Sequence, residues 1–146
     1  MKPLFILLMF ATSFFAKKSY ASDIISAKAL KSFETTFTNA KEASWTATDV
    51  YYKVQFILND QTLTAFYGVE GNLMRVTRNI SSLDLPIMLQ AELRKKYPNQ
   101  WISELIEMSE ENGTHYYVIV ENADVKTILK SFGNASWSVY KKLRKL

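Results

Sequence analysis

Apolar residues recur every four positions from Ile25 through Ala29 and Phe33 to Phe37, with Ala, Leu, Lys and Glu among the residues between them. That spacing gives a helix one apolar stripe, and Asp23 is placed to cap its start. Sixty positions on, Leu85, Leu89, Leu93 and Tyr97 repeat the stripe. Asp84 can cap this second helix, Pro86 sits in its first turn and Pro98 follows its end.

The stretches after each helix change period. Tyr52, Val54, Phe56 and Leu58 alternate with Tyr51, Lys53 and Gln55, the mark of a half-buried strand. Asn59-Asp60 reads as a turn, Thr62 to Tyr67 as the returning strand and Glu70-Gly71-Asn72 as another turn. In the second half Asn112-Gly113 is a strong hairpin signal. Tyr116, Val118 and Val120 then stand where Tyr52, Val54 and Phe56 stand, at an offset of 64. Flanking strands are expected at Ser44–Thr48, Leu73–Thr77, Trp101–Met108 and Ala135–Lys141.

Each half therefore reads as a helix followed by four antiparallel strands. The expected fold is α+β, a two-layer tandem repeat of a helix plus a four-stranded antiparallel sheet, with repeats at 22–79 and 80–146. A helix must cover a sheet face to bury its stripe, which leaves the other face open.

Residues 1–21 have a different character. One lysine precedes an apolar run from Leu4 to Phe15, and Ser19-Tyr20-Ala21 offers small residues at a cleavage site. This is the pattern of a secretory signal peptide, and the run is shorter than the roughly 20 residues of a spanning helix. Export follows as the expected localisation, periplasmic or extracellular, with no stable membrane insertion after cleavage.

Export also reshapes the charge. The formal net charge of +4 includes Lys2, Lys17 and Lys18; without them 15 basic residues face 14 acidic ones, a net of +1. The case for a nucleic-acid partner disappears with that balance. The remaining basic cluster, Lys141, Lys142, Arg144 and Lys145, suits an edge strand protected by lysine.

At this point a resemblance emerges. Ala40 to Trp45, Tyr51-Tyr52-Lys53-Val54-Gln55-Phe56, Ala65-Phe66-Tyr67, Glu70-Gly71, Leu85-Pro86 and Lys96-Tyr97-Pro98 resemble the PepSY-like, β-lactamase-inhibitor-protein-like family of proteins exported by Bacteroidetes. Glu104 to Glu107, Tyr116-Tyr117-Val118 and Ser136-Trp137-Ser138-Val139 fit the same pattern. The resemblance implies a tandem αβ4 fold and a binding face, and leaves the target open. It departs from the inhibitor in lacking cysteine.

Catalytic chemistry finds little footing. His115 is the only histidine, and there is no cysteine, so a nucleophile–base pair and a transition-metal site both lack their usual residues. His115 is expected at an exposed strand end. Ser138-Val139-Tyr140-Lys141 spells S-x-x-K inside a strand pattern, where catalysis would need it at a helix start. Glu104, Glu107, Glu110 and Glu111 lack calcium-loop spacing and read as a solvated turn. No enzyme activity, cofactor or metal is expected.

The aromatics carry the remaining signal. Alternation sends Tyr51 and Tyr117 to the opposite face from Tyr52, Phe56, Tyr116 and Val118. Tyr51, Lys53, Gln55, Phe66, Tyr117 and Trp137 are thus the candidate binding residues of the open face, since Tyr and Trp favour interfaces. The functional reading is an exported non-enzymatic module that binds a protein or peptide there, inhibition of an enzyme being one form. The alternative is an envelope carrier or sensor holding a small ligand in a cleft between helices and sheet.

Overall fold

A computed structural model describes residues 24–133 and 136–146. The expected signal peptide and the Asp23 cap lie outside the described residues. Helix α1 (Ala27–Thr36) begins instead at Ser26, whose hydroxyl accepts from the Ala29 backbone N–H at 3.3 Å. That bond satisfies one of the donors every helix start leaves free. The chain then runs through strands β1 (Lys41–Ala47), β2 (Tyr51–Leu58), β3 (Gln61–Gly68) and β4 (Leu73–Asn79). After a short 3-10 turn at Ser82–Asp84 come helix α2 (Ile87–Lys96) and strands β5 (Trp101–Glu110), β6 (Gly113–Glu121), β7 (Val125–Phe132) and β8 (Ser138–Arg144).

The class is α+β, as the periodicity implies, but the sheet is not divided. All eight strands form one antiparallel sheet in sequence order, β1 to β8. The expected pair of four-stranded sheets is joined where β4 meets β5, with Arg75 opposite Glu110 and Arg78 opposite Glu107. Among the described residues, joining them leaves only β1 and β8 with free edges. The β8 edge is exposed throughout and carries Lys141, Lys142 and Arg144, charges that oppose pairing with another chain.

Asp84 does not cap α2. It closes a capping box on Ser81, accepting the Ser81 backbone N–H at 2.9 Å, while Pro86 stands at the start of α2 without a side-chain bond. The two bonds from Ser81 hold the Asp84 carboxyl below its usual range. Asn59 and Asp60 both have positive φ, 50° and 62°. That is the two-residue turn whose twist matches a hairpin. Gly71, at φ 88°, brings the β3–β4 turn onto α1 so closely that an added Cβ would lie 2.5 Å from Lys28 Cβ.

Both helices lie on one face, over two separate apolar clusters. Under α1, Ile25, Ala29 and Phe33 meet Val54, Phe56, Ala65 and Tyr67. Under α2, Leu85, Leu89 and Leu93 meet Leu105, Val118, Val120, Leu129, Tyr116 and Trp137. The seam between them is polar. Arg78 Nε donates to Glu107 at 2.7 Å, and Arg78 Nη1 donates to Gln61 at 2.8 Å. So two of the residues assigned to a solvated acidic turn, Glu107 and Glu110, sit in β5 and pair with Arg78 and Arg75.

Candidate functional site

Antiparallel partners share a face, so the register fixes what each face displays. Val54 opposite Ala65 and Val118 opposite Leu129 set the helix side. The residues between them point the other way. One row across the open face runs Lys53, Phe66, Arg75, Glu110; the next runs Gln55, Thr64, Thr77, Met108, His115, Phe132. A third runs Asn79, Ile106, Tyr117, Lys130 and Ser138, and a fourth Glu104, Ile119, Ile128 and Lys141.

The structure thus places Tyr51, Lys53, Gln55, Phe66 and Tyr117 on the open face. Tyr51 and Phe66 pack at 5.8 Å between ring centroids, and the Arg75 guanidinium lies 5.7 Å over the Phe66 ring. Tyr117 is remote from that pair in the register and has its own neighbours. Tyr140 meets it edge-on at 6.1 Å, and Lys130 Nζ stands 5.6 Å over its ring.

Trp137 is a correction. It is only 6% exposed and belongs to the core under α2. Its indole N–H donates to the Leu89 carbonyl at 3.0 Å, and its backbone N–H donates to Glu92 at 2.9 Å. It precedes β8 rather than lying in it, so strand alternation does not govern its direction. The Glu92 carboxyl is held below its usual range, first by the Lys96 ammonium and then by that Trp137 N–H.

His115 is a second correction, being 7% exposed although it sits on the open face. Its ring meets Phe132 edge-on at 4.5 Å, with Nε2 3.5 Å from both a Glu110 oxygen and the Asn112 side-chain oxygen. Its Nδ1 is buried without a hydrogen-bond partner. Glu110 therefore lies between Arg75, at 3.6 Å, and His115. This chain of contacts carries the surface from Phe66 on β3 to Phe132 on β7.

Several open-face residues were not singled out by sequence. Ile106, Ile119 and Ile128 are half-buried around Tyr117, while Tyr140 and Phe132 are 65% and 57% exposed. Ile119 stands two positions from Tyr117, so alternation alone could have found it. Ile128 needs the β6–β7 register, in which it opposes Ile119.

The hollows of the surface are modest. One of about 390 Å³ lies on the open face among Gln55, Thr62, Thr64, Thr77, Asn79 and Ile106. Another, of about 280 Å³, sits where the end of α2 meets β5 and β6, lined by Leu93, Tyr97, Ile102 and Val120 among others. The latter falls just below the roughly 300–1,000 Å³ of small-molecule sites. Among the described residues no cluster of three or more His, Asp or Glu could hold a metal ion. No described helix is long and apolar enough to cross a membrane.

No protein-family profile matches the sequence, and no curated protein does. Solved structures do share the fold. A BLIP-like protein from Bacteroides fragilis is 15% identical with a TM-score of 0.67, the match covering 82% of this chain and 85% of that one. A DUF2874 family protein from Bacteroides ovatus is 17% identical with a TM-score of 0.71, covering 81% and 86%. A protein from Bacteroides eggerthii, whose name carries the words "putative periplasmic", is 8% identical with a TM-score of 0.71, covering 82% and 88%. The likeness is one of fold. It fits the β-lactamase-inhibitor-like side of the sequence resemblance, whereas nothing among these structures bears on the PepSY-like side.

Proposed function

We propose that this chain is an exported, non-enzymatic binding module that docks a protein or peptide on the open face of its sheet. The observation that carries the reading is the apolar and aromatic surface on the face away from both helices. Tyr51, Phe66, Ile106, Tyr117, Ile128 and Tyr140 all belong to it. Both helices are spent on the opposite face, so neither covers these side chains, five of them half-buried by one another and their neighbours and Tyr140 exposed. Aromatic surface of this kind supplies interface area at small entropic cost.

The matching order of elements in the two halves supports reading the chain as two αβ4 units whose sheets fuse into one platform. Export is supported by the signal-like residues 1–21 and by the periplasmic wording attached to one structural neighbour. Inhibition of a secreted or envelope enzyme is one form such docking could take, suggested by the name of a neighbour alone.

The test uses the full chain, tagged and produced in its own organism, beside a Tyr51→Ala/Tyr117→Ala variant. A specific protein recovered with the first and lost with the second supports the reading. Equal recovery by both shows that the open face is not the docking surface.

A further inference from the structure

The open face is uneven in polarity and in charge. Between β2 and β4 it shows the polar row Gln55, Thr62, Thr64 and Thr77 beside the Tyr51–Phe66 pair, which Arg75 covers. Between β5 and β8 it shows isoleucines and tyrosines, and lysines stand at their margin. Lys130 neighbours Tyr117 on β7, and Lys141 on β8 lies opposite Ile128. Among the described residues neither ammonium has a carboxylate within 4.0 Å, and Lys53 beside Phe66 has none either.

The acids of this face are largely engaged. Glu110 lies against Arg75 and His115, and Glu121 is bound by Lys145 at 2.6 Å. The Lys145 ammonium, then the Ser103 hydroxyl, hold the Glu121 carboxyl below its usual range. Glu104, one row beyond Tyr117 and opposite Ile119, has no ion-pair partner. Among the described residues Lys126, opposite Glu121, has no carboxylate within 4.0 Å either, so the unpaired ammonium groups outnumber the one unpaired carboxylate and leave the face with a surplus of positive charge.

From this we infer that the occupant of the open face is an acidic protein segment. Its apolar or aromatic side chain would rest on Ile106, Tyr117, Ile119 and Ile128, and flanking Asp or Glu would meet Lys130 and Lys141. The inference rests on the open-face reading and adds the partner's chemistry. Lysine stems extend the apolar surface while their heads stay charged. Complementary charge at the rim speeds encounter and rejects basic partners. Salt weakens that contribution, because charges at an exposed rim are screened.

The test selects random peptides displayed on phage against the full chain, then measures selected peptides on three variants. Those are Lys130→Glu/Lys141→Glu, the milder Lys130→Gln/Lys141→Gln, and Tyr117→Ala, each checked for an unchanged circular dichroism spectrum. The expected peptides carry Asp or Glu around an aromatic or aliphatic residue. They bind the Gln variant more weakly and the Glu variant about tenfold more weakly or worse, a loss of about 1.4 kcal/mol. Peptides that need Tyr117 but show no acidic bias, or ignore both lysine variants, overturn the charge inference and leave the open face standing. Peptides indifferent to Tyr117→Ala, or no selected peptide at all, overturn both.

Discussion

Beneath α1 the sheet presents Phe56, Ala65 and Tyr67; beneath α2 the positions at an offset of 64 hold Val120, Leu129 and Ser131. Tyr67 pairs with Tyr52 as Ser131 pairs with Tyr116, and Ala65 pairs with Val54 as Leu129 pairs with Val118. Large and small residues have changed places within the same register. The helices follow suit. Ala29, under the close Gly71 turn, corresponds to Leu89, whose carbonyl receives the Trp137 indole. A two-layer fold constrains the volume between helix and sheet more tightly than the identity of any residue filling it.

The same comparison separates the two cores by chemistry. The first is an aromatic cluster, in which Phe33 packs at 5.0 Å from Phe56, 5.4 Å from Trp45 and 5.5 Å from Phe37. The second is mainly aliphatic and is closed from the side by Trp137. The largest expected effect follows from that closure. Trp137→Ala should cost about 3–5 kcal/mol, whereas Trp45→Ala, at a half-buried site near the β1 edge, should cost about 1–2 kcal/mol. Urea unfolding of both variants measures the difference. Equal costs would show that Trp137 is not the keystone of its half.

Exchanging volumes sharpens the contrast. Leu129→Ala should lose about 2–5 kcal/mol by opening a cavity, and Ala65→Leu about 1–3 kcal/mol by overpacking beneath α1. Thermal unfolding checks both. An Ala65→Leu variant as stable as the parent would mean that the first core has room to spare.

How much of this could be read from sequence depends on the element. Helical stripes and strand alternation placed both helices, the strands along the chain and the outward direction of five of the six candidate binding residues. They failed at Trp137, which lies outside the strand that would have set its direction. They failed again at the join of β4 and β5, because Arg78 and Glu107 reveal their pairing only once two distant strands meet. His115 was misread for a related reason. A strand end next to a turn is ordinarily exposed, but here Phe132 from β7 and Glu110 from β5 close over it.

Smaller effects test the polar remainder of each core. Tyr67 is fully buried, and burial pushes its phenol up to about 12; Ser32 approaches its hydroxyl without reaching hydrogen-bonding geometry. Ser131, its counterpart, also has a buried hydroxyl without a partner. Removing an unsatisfied buried group relieves its desolvation. Tyr67→Phe should therefore stabilise the protein by about 1 kcal/mol, read as a rise in the urea midpoint. A fall would mean that the hydroxyl finds a partner, such as Ser32 or water.

Acid should act mainly on the C-terminal half. Asp84, Glu92 and Glu121 lie there, and each carboxyl is held below its usual value in the folded chain. Their contribution is fully present above the unfolded carboxylate range and is lost as the pH falls through the lowered folded values. Stability should stay level down to about pH 5 and decline below it. Glu92→Gln should flatten part of that decline. An unchanged acid limb would show that the Lys96 and Trp137 contacts add nothing measurable at that half-buried site.

On the proposed reading, one face of this sheet packs against the helices and the other binds a partner. A photo-crosslinking side chain at Tyr140, on the open face, and another at Met88, 66% exposed on α2, compare the two faces directly in the producing organism. The expected outcome is a defined protein adduct from Tyr140 and none from Met88. An adduct from Met88 alone, or from neither position, would contradict it.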